Sequence, residues 1–388
     1  MQKWMLSDSF VRVVNEVDGQ IAFLLNFLKG MKSKGTLVLS IASSESSDVD
    51  GISAAGASAQ LRRLTPTIDA EALILGKPSG EGSLPVSPSG VVSPVVITRA
   101  CLDLAGLATT VVDCGAFHAP AVPNIIRVGN GVAKCVSTGS SQSYDSVKEL
   151  FQTGLNFGFQ IADEAEYLIL GECIPGGTTT AFGVLSALGF NRSGLVSSSV
   201  VNSEHNLKGK LVERGLAKSG LSAEEFRRHP LRSVAAVGDP MQPFVAGIAA
   251  AASLSIPVIL GGGSQMLAVY ALIDAMIQNR FDGFSLPDKN SVQAKRQLSV
   301  ITTKWVVEDK SADVALLSRL IGAPFACACP DFNKSRHSGL RSYEEGNVKE
   351  GVCAGAAMAV AHLAGQASEE VIMEAIDSAY DQMVNLRT

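Results

Sequence analysis

Short apolar runs without polar alternation recur along most of this chain, and helical patterns fall between many of them. Seven runs of this kind are TLVLSIA (36–42), VVITRA (95–100), TTVVDCG (109–115), YLILG (167–171), IPVILGGG (256–263), QLSVITT (297–303) and PFACAC (324–329). Such runs are typical of strands buried on both faces, and strands that alternate with helices form parallel sheets. The chain is therefore expected to have an α/β fold, three-layer and Rossmann-like, with a mostly parallel sheet.

The two ends of the chain have helical spacing and no comparable apolar runs. We expect residues 1–30 and 346–388 to pack together as a small helical subdomain beside an α/β core of residues 31–345. A chain of 388 residues with 46% apolar side chains is large enough for one large domain or two.

Composition excludes several classes of function. The net charge of −5 and the lack of a long basic run argue against nucleic acid as a partner. The most apolar window, FVAGIAAAASLSIPVILGGG, is broken by Pro257 and three glycines, which predicts a helix followed by a strand rather than a membrane span. Seven scattered cysteines in no framework spacing, with no signal-peptide pattern, indicate free thiols in the cytoplasm.

In open parallel sheets, ligands bind beyond the carboxyl ends of the strands. The stretch GECIPGGTTT follows one predicted strand and opens a predicted helix, so its free N–H groups and hydroxyls suit an anion such as phosphate. The lysine of a P-loop and the glycine spacing GxGxxG are both absent from it. From spacing alone, a plain tight turn is as compatible with this stretch as a phosphate site.

Other candidates have an ordinary interpretation beside the functional one. Lys208 is either a phosphate ligand or a solvated lysine on a helix, and Glu350 is either a general base or an acidic first-turn residue. Glu45, Asp48 and Asp50 follow the first strand, where a hard-metal site or, more simply, a polar loop fits them.

Taken in order, four stretches resemble the nicotinate-nucleotide–dimethylbenzimidazole phosphoribosyltransferases, over roughly residues 35–361. GECIPGGTT has the length and frame of their Gly-Glu-Met-Gly-Ile-Gly-Asn-Thr-Thr motif, and NLKGKLVERGLA is similar to their helix with a phosphate-binding lysine. KEGVCAGAAMAVA resembles their Gly-Glu-Gly-Thr-Gly-Ala-Ala helix start, and DGISAAG their Gly-Val-Ser segment. The order they share resembles the divergent branch of the family found in archaea and cyanobacteria.

The resemblance implies a role for each matching residue. Glu350 would be the catalytic base, and Ser53 and Gly355 would bind the acceptor base. The residues that would bind the nucleotide and its phosphate are Glu172, Gly176, Gly177, Thr178, Thr179 and Lys208. The substrates would be nicotinate mononucleotide and a benzimidazole- or purine-type base, in the synthesis of the cobalamin lower ligand. Because the nicotinate ring leaves as a neutral group, neither a metal nor a cofactor is implied, and a homodimer is expected by analogy.

The sequence also departs from the family pattern. Gly177 stands where the family has asparagine, and EGVCAGAA is two residues longer than the family's run. Two other interpretations stay open: a non-catalytic protein that binds a nucleotide or a cobamide, and a magnesium-dependent phosphoribosyltransferase. The paired acidic residues that usually precede the loop in the magnesium-dependent class are absent here.

Overall fold

The computed structural model describes residues 9–31, 35–78, 84, 87, 90–192, 194–196, 205–279 and 291–384. In this part of the chain the strands are β1 Val11–Asn15, β2 Gly35–Ile41, β3 Ala108–Asp113, β4 Ile126–Arg127, β5 Tyr167–Cys173, β6 Val258–Gly261, β7 Leu298–Thr303 and β8 Phe325–Ala328. The helices are α1 Gln20–Gly30, α2 Ala59–Leu75, α3 Val95–Ala105, α4 Tyr144–Ala162, α5 Gly177–Ala187, α6 His205–Ser219, α7 Ala223–Arg228, α8 Leu231–Val237, α9 Met241–Ala252, α10 Ser264–Gln278, α11 Ser291–Arg296, α12 Lys304–Val307, α13 Val314–Leu320, α14 Ser338–Arg341, α15 Ala354–Leu363 and α16 Glu369–Val384.

All eight strands belong to one sheet in the order β1-β8-β7-β6-β5-β2-β3-β4. Every neighbouring pair is parallel except β1 and β8. From β2 the chain extends to β3 and β4 on one side, and it then crosses to β5 and extends to the other side. The order of strands therefore reverses between β2 and β5, and at such a point the crevice beyond the strand ends can hold a ligand.

Successive residues of the central strands point to opposite faces, and each face has its own apolar core. Leu37 and Leu39 of β2 pack with α1, α2, α3, α15 and α16, whereas Val38 packs with α4, α5, α9 and α10 on the other face. A strand covered by helices on both faces is apolar at most positions, which is why β2 and β5 show no regular polar alternation. The predicted three-layer α/β fold is confirmed.

The ends of the chain contribute to the first of these two cores. Leu24 and Leu25 of α1 and Ile372 of α16 belong to the same cluster as the small residues of α15. The first thirty residues are not wholly helical as expected, because Val11–Asn15 form β1 at the edge of the sheet, antiparallel to β8. The partner of β1 lies more than 300 residues away, so local spacing could not reveal it. Residues 1–8 and 385–388 lie outside the described part, and the division into core and subdomain stays a prediction.

The strand expected at 95–100 is wrong, since this segment begins α3. Its β-branched run continues into Cys101, Leu102 and Ala105 at helical spacing, and all three are buried. Gly106 then ends the helix in the left-handed conformation, with φ of 61°. A short apolar run of this kind cannot be assigned from periodicity alone.

The charged stretch that follows position 200 forms α6, α7 and α8 outside the sheet. Ser222 caps α7 in a capping box with Glu225. These helices pack around a small cluster that contains Val212, Phe226 and Val237. The cluster fixes α6 next to α5, and this places Lys208 beside the beginning of α5.

None of the helices in the described residues combines the length and the hydropathy that a membrane span requires. All seven cysteines are described, and all are free thiols.

Candidate active site

A cavity lies beyond the carboxyl ends of β2 and β5, at the point where the strand order reverses. Its walls come from the loop after β2, from α2, from the turn between β5 and α5, and from the loops that precede α3 and α15. Six of the residues predicted from the sequence line it, namely Ser53, Glu172, Gly176, Gly177, Thr178 and Glu350. The fold thus brings together residues that are up to 297 positions apart in the sequence.

The turn after β5 leaves its backbone close to the cavity. Gly176 has φ of 78°, in the left-handed region, and it precedes the first residue of α5. A Cβ at Gly176 would lie 3.4 Å from the backbone of Ser47, so the loop after β2 packs directly against this turn. A Cβ at Gly177 would overlap the side-chain amide of Gln265. The N-terminus of α5 therefore opens into the cavity. The N–H groups of Gly177 and Thr179 are already used, since they donate to the carbonyls of Ile174 at 2.9 Å and Gly176 at 2.8 Å.

The three threonines of this turn have different surroundings. Thr178 lines the cavity, and its Oγ1 accepts a hydrogen bond of 2.8 Å from Lys208 Nζ. Thr179 is fully buried and does not line the cavity. Thr180 donates to the Gly177 carbonyl and to Asp239, whose carboxylate also caps the start of α9. Of the two threonines predicted to bind phosphate, Thr178 therefore faces the cavity and Thr179 does not.

Lys208 is 4% exposed, which contradicts the alternative of a solvated lysine on a helix. Burial lowers the pKa of Lys208 to about 8, with a smaller effect in the same direction from the positive charge of Lys349 and an opposing effect from Asp309. Lys349 Nζ lies 2.9 Å from Asp309 Oδ2, and both side chains are buried. Two lysines and one aspartate therefore lie near one another beside Thr178.

Glu350 is half-buried and is held by hydrogen bonds to both carboxylate oxygens. Oε2 accepts from Thr302 Oγ1 and from the N–H of Thr303, each at 2.9 Å. Oε1 accepts from the N–H groups of Gly351 at 3.1 Å and Gly355 at 3.3 Å. The carboxylate is therefore oriented by the end of β7 on one side and by the beginning of α15 on the other.

The pKa of Glu350 is raised by burial to about 7, and the hydrogen bonds from Gly351, Thr302, Gly355 and Thr303 oppose that rise. A carboxyl group with a pKa near the working pH can accept a proton in one step and release it in the next. This is the property that a general base requires.

The backbone between Gly351 and α15 is strained. Val352 and Cys353 have φ of 49° and 57°, and a left-handed conformation is rare for a β-branched residue. The Val352 N–H donates to the Glu172 carbonyl, and the Val352 carbonyl accepts from Thr98 Oγ1. These two left-handed residues lie between Glu350, which is hydrogen-bonded to Thr302, and the first residue of α15.

Glu172 lies at the end of β5 and is 3% exposed. Its Oε2 accepts from the Ile174 N–H at 3.1 Å and from Gln265 Nε2 at 2.9 Å. Burial, together with the nearby charges of Glu350 and Asp239, raises the pKa of Glu172 to about 8. Glu172 is therefore mostly protonated at neutral pH, which makes it a neutral hydrogen-bonding group rather than a second carboxylate.

The two residues predicted to bind the acceptor base differ in position. Ser53 lines the cavity, and its Oγ accepts from the Ala55 N–H. Gly355 does not line the cavity, and a Cβ there would lie 2.1 Å from the carbonyl carbon of Thr302. A glycine at 355 is thus required for the close approach of α15 to β7, and its contact with the site is the N–H that it donates to Glu350.

Acidic side chains of the loop after β2 form ion pairs with arginines and do not form a cluster of metal ligands. Asp48 accepts two hydrogen bonds from Arg63, and Asp50 pairs with Arg62. No group of three or more histidine, cysteine, aspartate or glutamate side chains with metal-binding geometry occurs in the described ranges.

Sequence reasoning missed several residues of this site. Asp69 of α2 lines the cavity, and Thr302 and Thr303 orient Glu350. The two threonines end a predicted strand, so the rule that ligands bind beyond strand ends could have identified them. Asp69 lies on the buried face of α2, and an acidic residue on such a face could have been recognised as a site candidate.

Comparisons with known proteins show the family of this chain. A family model described as phosphoribosyltransferase, DBI_PRT, matches residues 98–295, about half of the chain. A UPF0284 protein of Gloeobacter violaceus is 42% identical, over 92% of this chain and 89% of its own length. A UPF0284 protein of the archaeon Methanothermobacter thermautotrophicus is 37% identical, over 88% of this chain and 91% of its own length.

Two solved structures from Thermus thermophilus share the fold. The structure described as CobT has a TM-score of 0.59 at 16% identity, and the alignment covers 92% of each chain. The structure described as a nicotinate-nucleotide–dimethylbenzimidazole phosphoribosyltransferase has a TM-score of 0.56 at 17% identity, over 95% of this chain and 88% of that one.

Proposed function

Because this chain belongs to the phosphoribosyltransferase family, and to its branch of UPF0284 proteins from cyanobacteria and archaea, we propose that it transfers phosphoribose from nicotinate mononucleotide to a nitrogen of an aromatic base. The products would be an α-riboside 5′-phosphate of that base and nicotinate. The observation that carries the proposal is the geometry of one cavity. The cavity is lined by Glu350, whose carboxylate accepts four hydrogen bonds. It is also lined by the glycine turn before α5, in which Thr178 contacts the buried Lys208.

The first role is to hold the 5′-phosphate. The N-terminus of α5 offers the positive end of its helix dipole, Thr178 offers a hydroxyl, and Lys208 offers a positive charge. Lys208 is mostly charged below pH 8. A dianionic phosphate ester would restore to this buried ammonium group part of the stabilisation that it loses on leaving water.

The second role is the transfer itself. A lone pair on the acceptor nitrogen attacks C1′ of the ribose from the face opposite the nicotinate, and the bond between C1′ and the pyridinium nitrogen breaks. The electron pair of that bond goes to the ring nitrogen, so nicotinate leaves with an uncharged ring. The acceptor ring becomes positively charged and transfers its N–H proton to Glu350, which is ionised above pH 7. Attack from the opposite face inverts C1′ and gives the α-linkage.

Nicotinate release, measured by chromatography, tests this function. The purified protein would be incubated with nicotinate mononucleotide and with dimethylbenzimidazole, benzimidazole, hydroxybenzimidazole or adenine in turn. We expect nicotinate and an α-riboside phosphate in equal amounts with at least one base. Binding of nicotinate mononucleotide without release under any condition would favour the non-catalytic alternative.

The magnesium-dependent alternative predicts a different substrate and a different inhibitor. It requires activity with pyrophosphorylated ribose and loss of that activity on addition of a chelator. Our proposal expects no transfer from pyrophosphorylated ribose and nicotinate release that is insensitive to the chelator. A homodimer and a cytoplasmic location belong to the same proposal.

A further inference from the structure

Asp69 is a buried carboxyl group that lines the cavity and plays no part in the mechanism above. It lies on α2 and is 2% exposed. Oδ2 accepts a hydrogen bond of 3.3 Å from the Cys173 thiol. Oδ1 has no hydrogen-bond partner among the described residues.

An unpaired acceptor of this kind is costly. A buried polar atom without a partner costs about 1–3 kcal/mol, and the cost is recovered when a ligand supplies the missing hydrogen bond. Nearby hydroxyls of the same wall are engaged within the protein, since Thr65 Oγ1 donates to the Ala55 carbonyl and Ser87 Oγ accepts from the Val91 N–H. The Ser93 hydroxyl lies close enough to the Asp69 carboxyl to lower its pKa, but it forms no hydrogen bond to Oδ1 in the described structure, so Oδ1 remains the acceptor that a ligand could pair.

The surroundings of Asp69 differ from those of Glu350. Asp69 accepts a hydrogen bond from Cys173 at the end of β5, whereas Glu350 accepts hydrogen bonds from Thr302 and Thr303 at the end of β7. Apolar side chains such as Val92 and Val352 form much of the remaining wall. An aromatic ring that presents its N–H group to Glu350 and its other ring nitrogen to C1′ leaves a further edge of the ring for Asp69.

We propose that Asp69 is a specificity-determining residue that selects acceptor bases with an N–H or O–H donor on the ring edge remote from the reacting nitrogen. Aminopurines and hydroxybenzimidazoles belong to this class. 5,6-Dimethylbenzimidazole does not, because it presents methyl groups on that edge and would leave Oδ1 unpaired. This inference rests on the proposed function, since it concerns the acceptor of the same reaction.

The protonation state of Asp69 is compatible with a neutral ligand. Burial raises its pKa to about 7, and the neighbouring Ser93 hydroxyl and Cys173 thiol oppose that rise. With a pKa near the working pH, the carboxyl group is partly neutral, and its unprotonated oxygen can accept from an amino or hydroxyl group without a counter-charge on the base. Sites built to hydrogen-bond a substrate N–H or O–H reject analogues that lack it much more strongly than apolar pockets reject an extra methyl group.

The test measures binding and turnover separately. Calorimetric titration of the protein with adenine, 5-hydroxybenzimidazole and 5,6-dimethylbenzimidazole gives the affinity of each base, and nicotinate release gives kcat/KM. For the natural chain we expect the donor-bearing bases to be preferred by roughly tenfold to a hundredfold, the scale of one to two good hydrogen bonds. In Asp69→Asn the amide oxygen would face Cys173 and Ser93, which turns the NH₂ group towards the cavity and removes that preference.

Asp69→Leu is a second variant, and it should shift the preference towards 5,6-dimethylbenzimidazole by offering the methyl groups an apolar contact. Asp377→Asn is the matched control. It removes a buried carboxylate that Ser335 and Arg336 contact outside the cavity, and it should leave the order of bases unchanged. Thermal unfolding of each variant would show that it is folded.

The outcomes distinguish the role of Asp69 from the transferase reaction itself. Equal affinities for the three bases, or a preference that survives in both Asp69 variants, would overturn the role of Asp69 even if nicotinate is released. A preference that depends on Asp69, together with no nicotinate release from any base, would support the role of Asp69 and remove the transferase reaction.

Discussion

Thr302 and Glu350, 48 positions apart in the sequence, are joined by a hydrogen bond of 2.9 Å between Oγ1 and Oε2. Thr302 lies at the end of β7, and Glu350 lies in the loop before α15. The bond ties the candidate base to the sheet, because the backbone of Thr302 is paired with Cys327 in the register of β7 and β8. The position of the carboxylate is therefore fixed relative to the sheet.

Glu350→Gln should leave binding of nicotinate mononucleotide largely intact and lower turnover at least about a hundredfold, the usual scale for a positioned general base. Glutamine keeps an oxygen that Thr302 can donate to but cannot take up a proton. Nicotinate release and calorimetric binding would be measured in parallel. Glu345→Gln, at an exposed position in the same segment, is the matched control and should retain full turnover. Near-normal turnover of Glu350→Gln would remove Glu350 from the mechanism.

Thr302→Val should move the acid limb of the pH–rate profile. The reaction needs ionised Glu350, so turnover should rise with pH through about 7 and then level off. Loss of the Thr302 hydroxyl removes a donor that stabilises the ionised form, which raises the pKa of Glu350 and shifts the limb to higher pH. Thr303→Val keeps the N–H that donates to Glu350 and loses only the hydroxyl that donates to the Lys349 carbonyl. The acid limb of its pH–rate profile should therefore not move. Identical profiles for both variants would contradict the prediction.

Lys208→Met should weaken binding of nicotinate mononucleotide by roughly tenfold to a hundredfold, the scale of a hydrogen bond to a charged group. In the natural chain, affinity should fall as the pH rises through about 8, because Lys208 then loses its charge. Titrations at several pH values would measure both effects. Lys210→Met, two residues further along α6 at an exposed position, should bind normally and keep the same pH dependence. An equal loss in both lysine variants would indicate general electrostatics rather than a phosphate contact.

Glu172→Gln should raise stability at alkaline pH. The pKa of Glu172 is about 8 in the folded chain and near 4.5 when unfolded, so the unfolded state binds fewer protons between these values. The free energy of unfolding therefore falls with pH across this window, by up to about 1.4 kcal/mol per pH unit from this group. Glutamine has no such loss and keeps an acceptor for Gln265.

Chemical unfolding of both proteins at pH 5 and pH 9 would measure the effect of Glu172→Gln as a stability difference that grows with pH. Glu166→Gln is the control, because Glu166 is exposed and directly precedes the first residue of β5. Its stability should differ little from that of the natural chain at both pH values. A constant difference for Glu172→Gln would mean that Glu172 is ionised in the folded chain at neutral pH.

The sequence by itself determined the layers of this protein, because strands covered on both faces are apolar at most positions. It also determined the family, because four short motifs occur in a shared order. It placed GECIPGGTTT at the end of a strand, where the structure has Gly176 and Thr178 in the wall of the cavity. These features are local, since each depends on residues within one strand, turn or helix.

Other features were decided by contacts between distant segments. The segment at 95–100 is a helix because its buried pattern continues to Ala105, and Val11–Asn15 is a strand because β8 offers it an edge. Thr179, chosen from the same motif as Thr178, is buried instead of facing the cavity, because the rotation of α5 is set by its packing against α6 and α10.

The tertiary structure also decided which acidic residues matter chemically. Local motifs identified Glu172 and Glu350, but no local feature reveals the protonation state of Asp69, Glu172 or Glu350. Each has a raised pKa because the folded chain removes it from water, and burial of this kind arises only when distant segments meet. The sequence supplied the chemical groups, and the packing of the chain around them set their protonation and their partners.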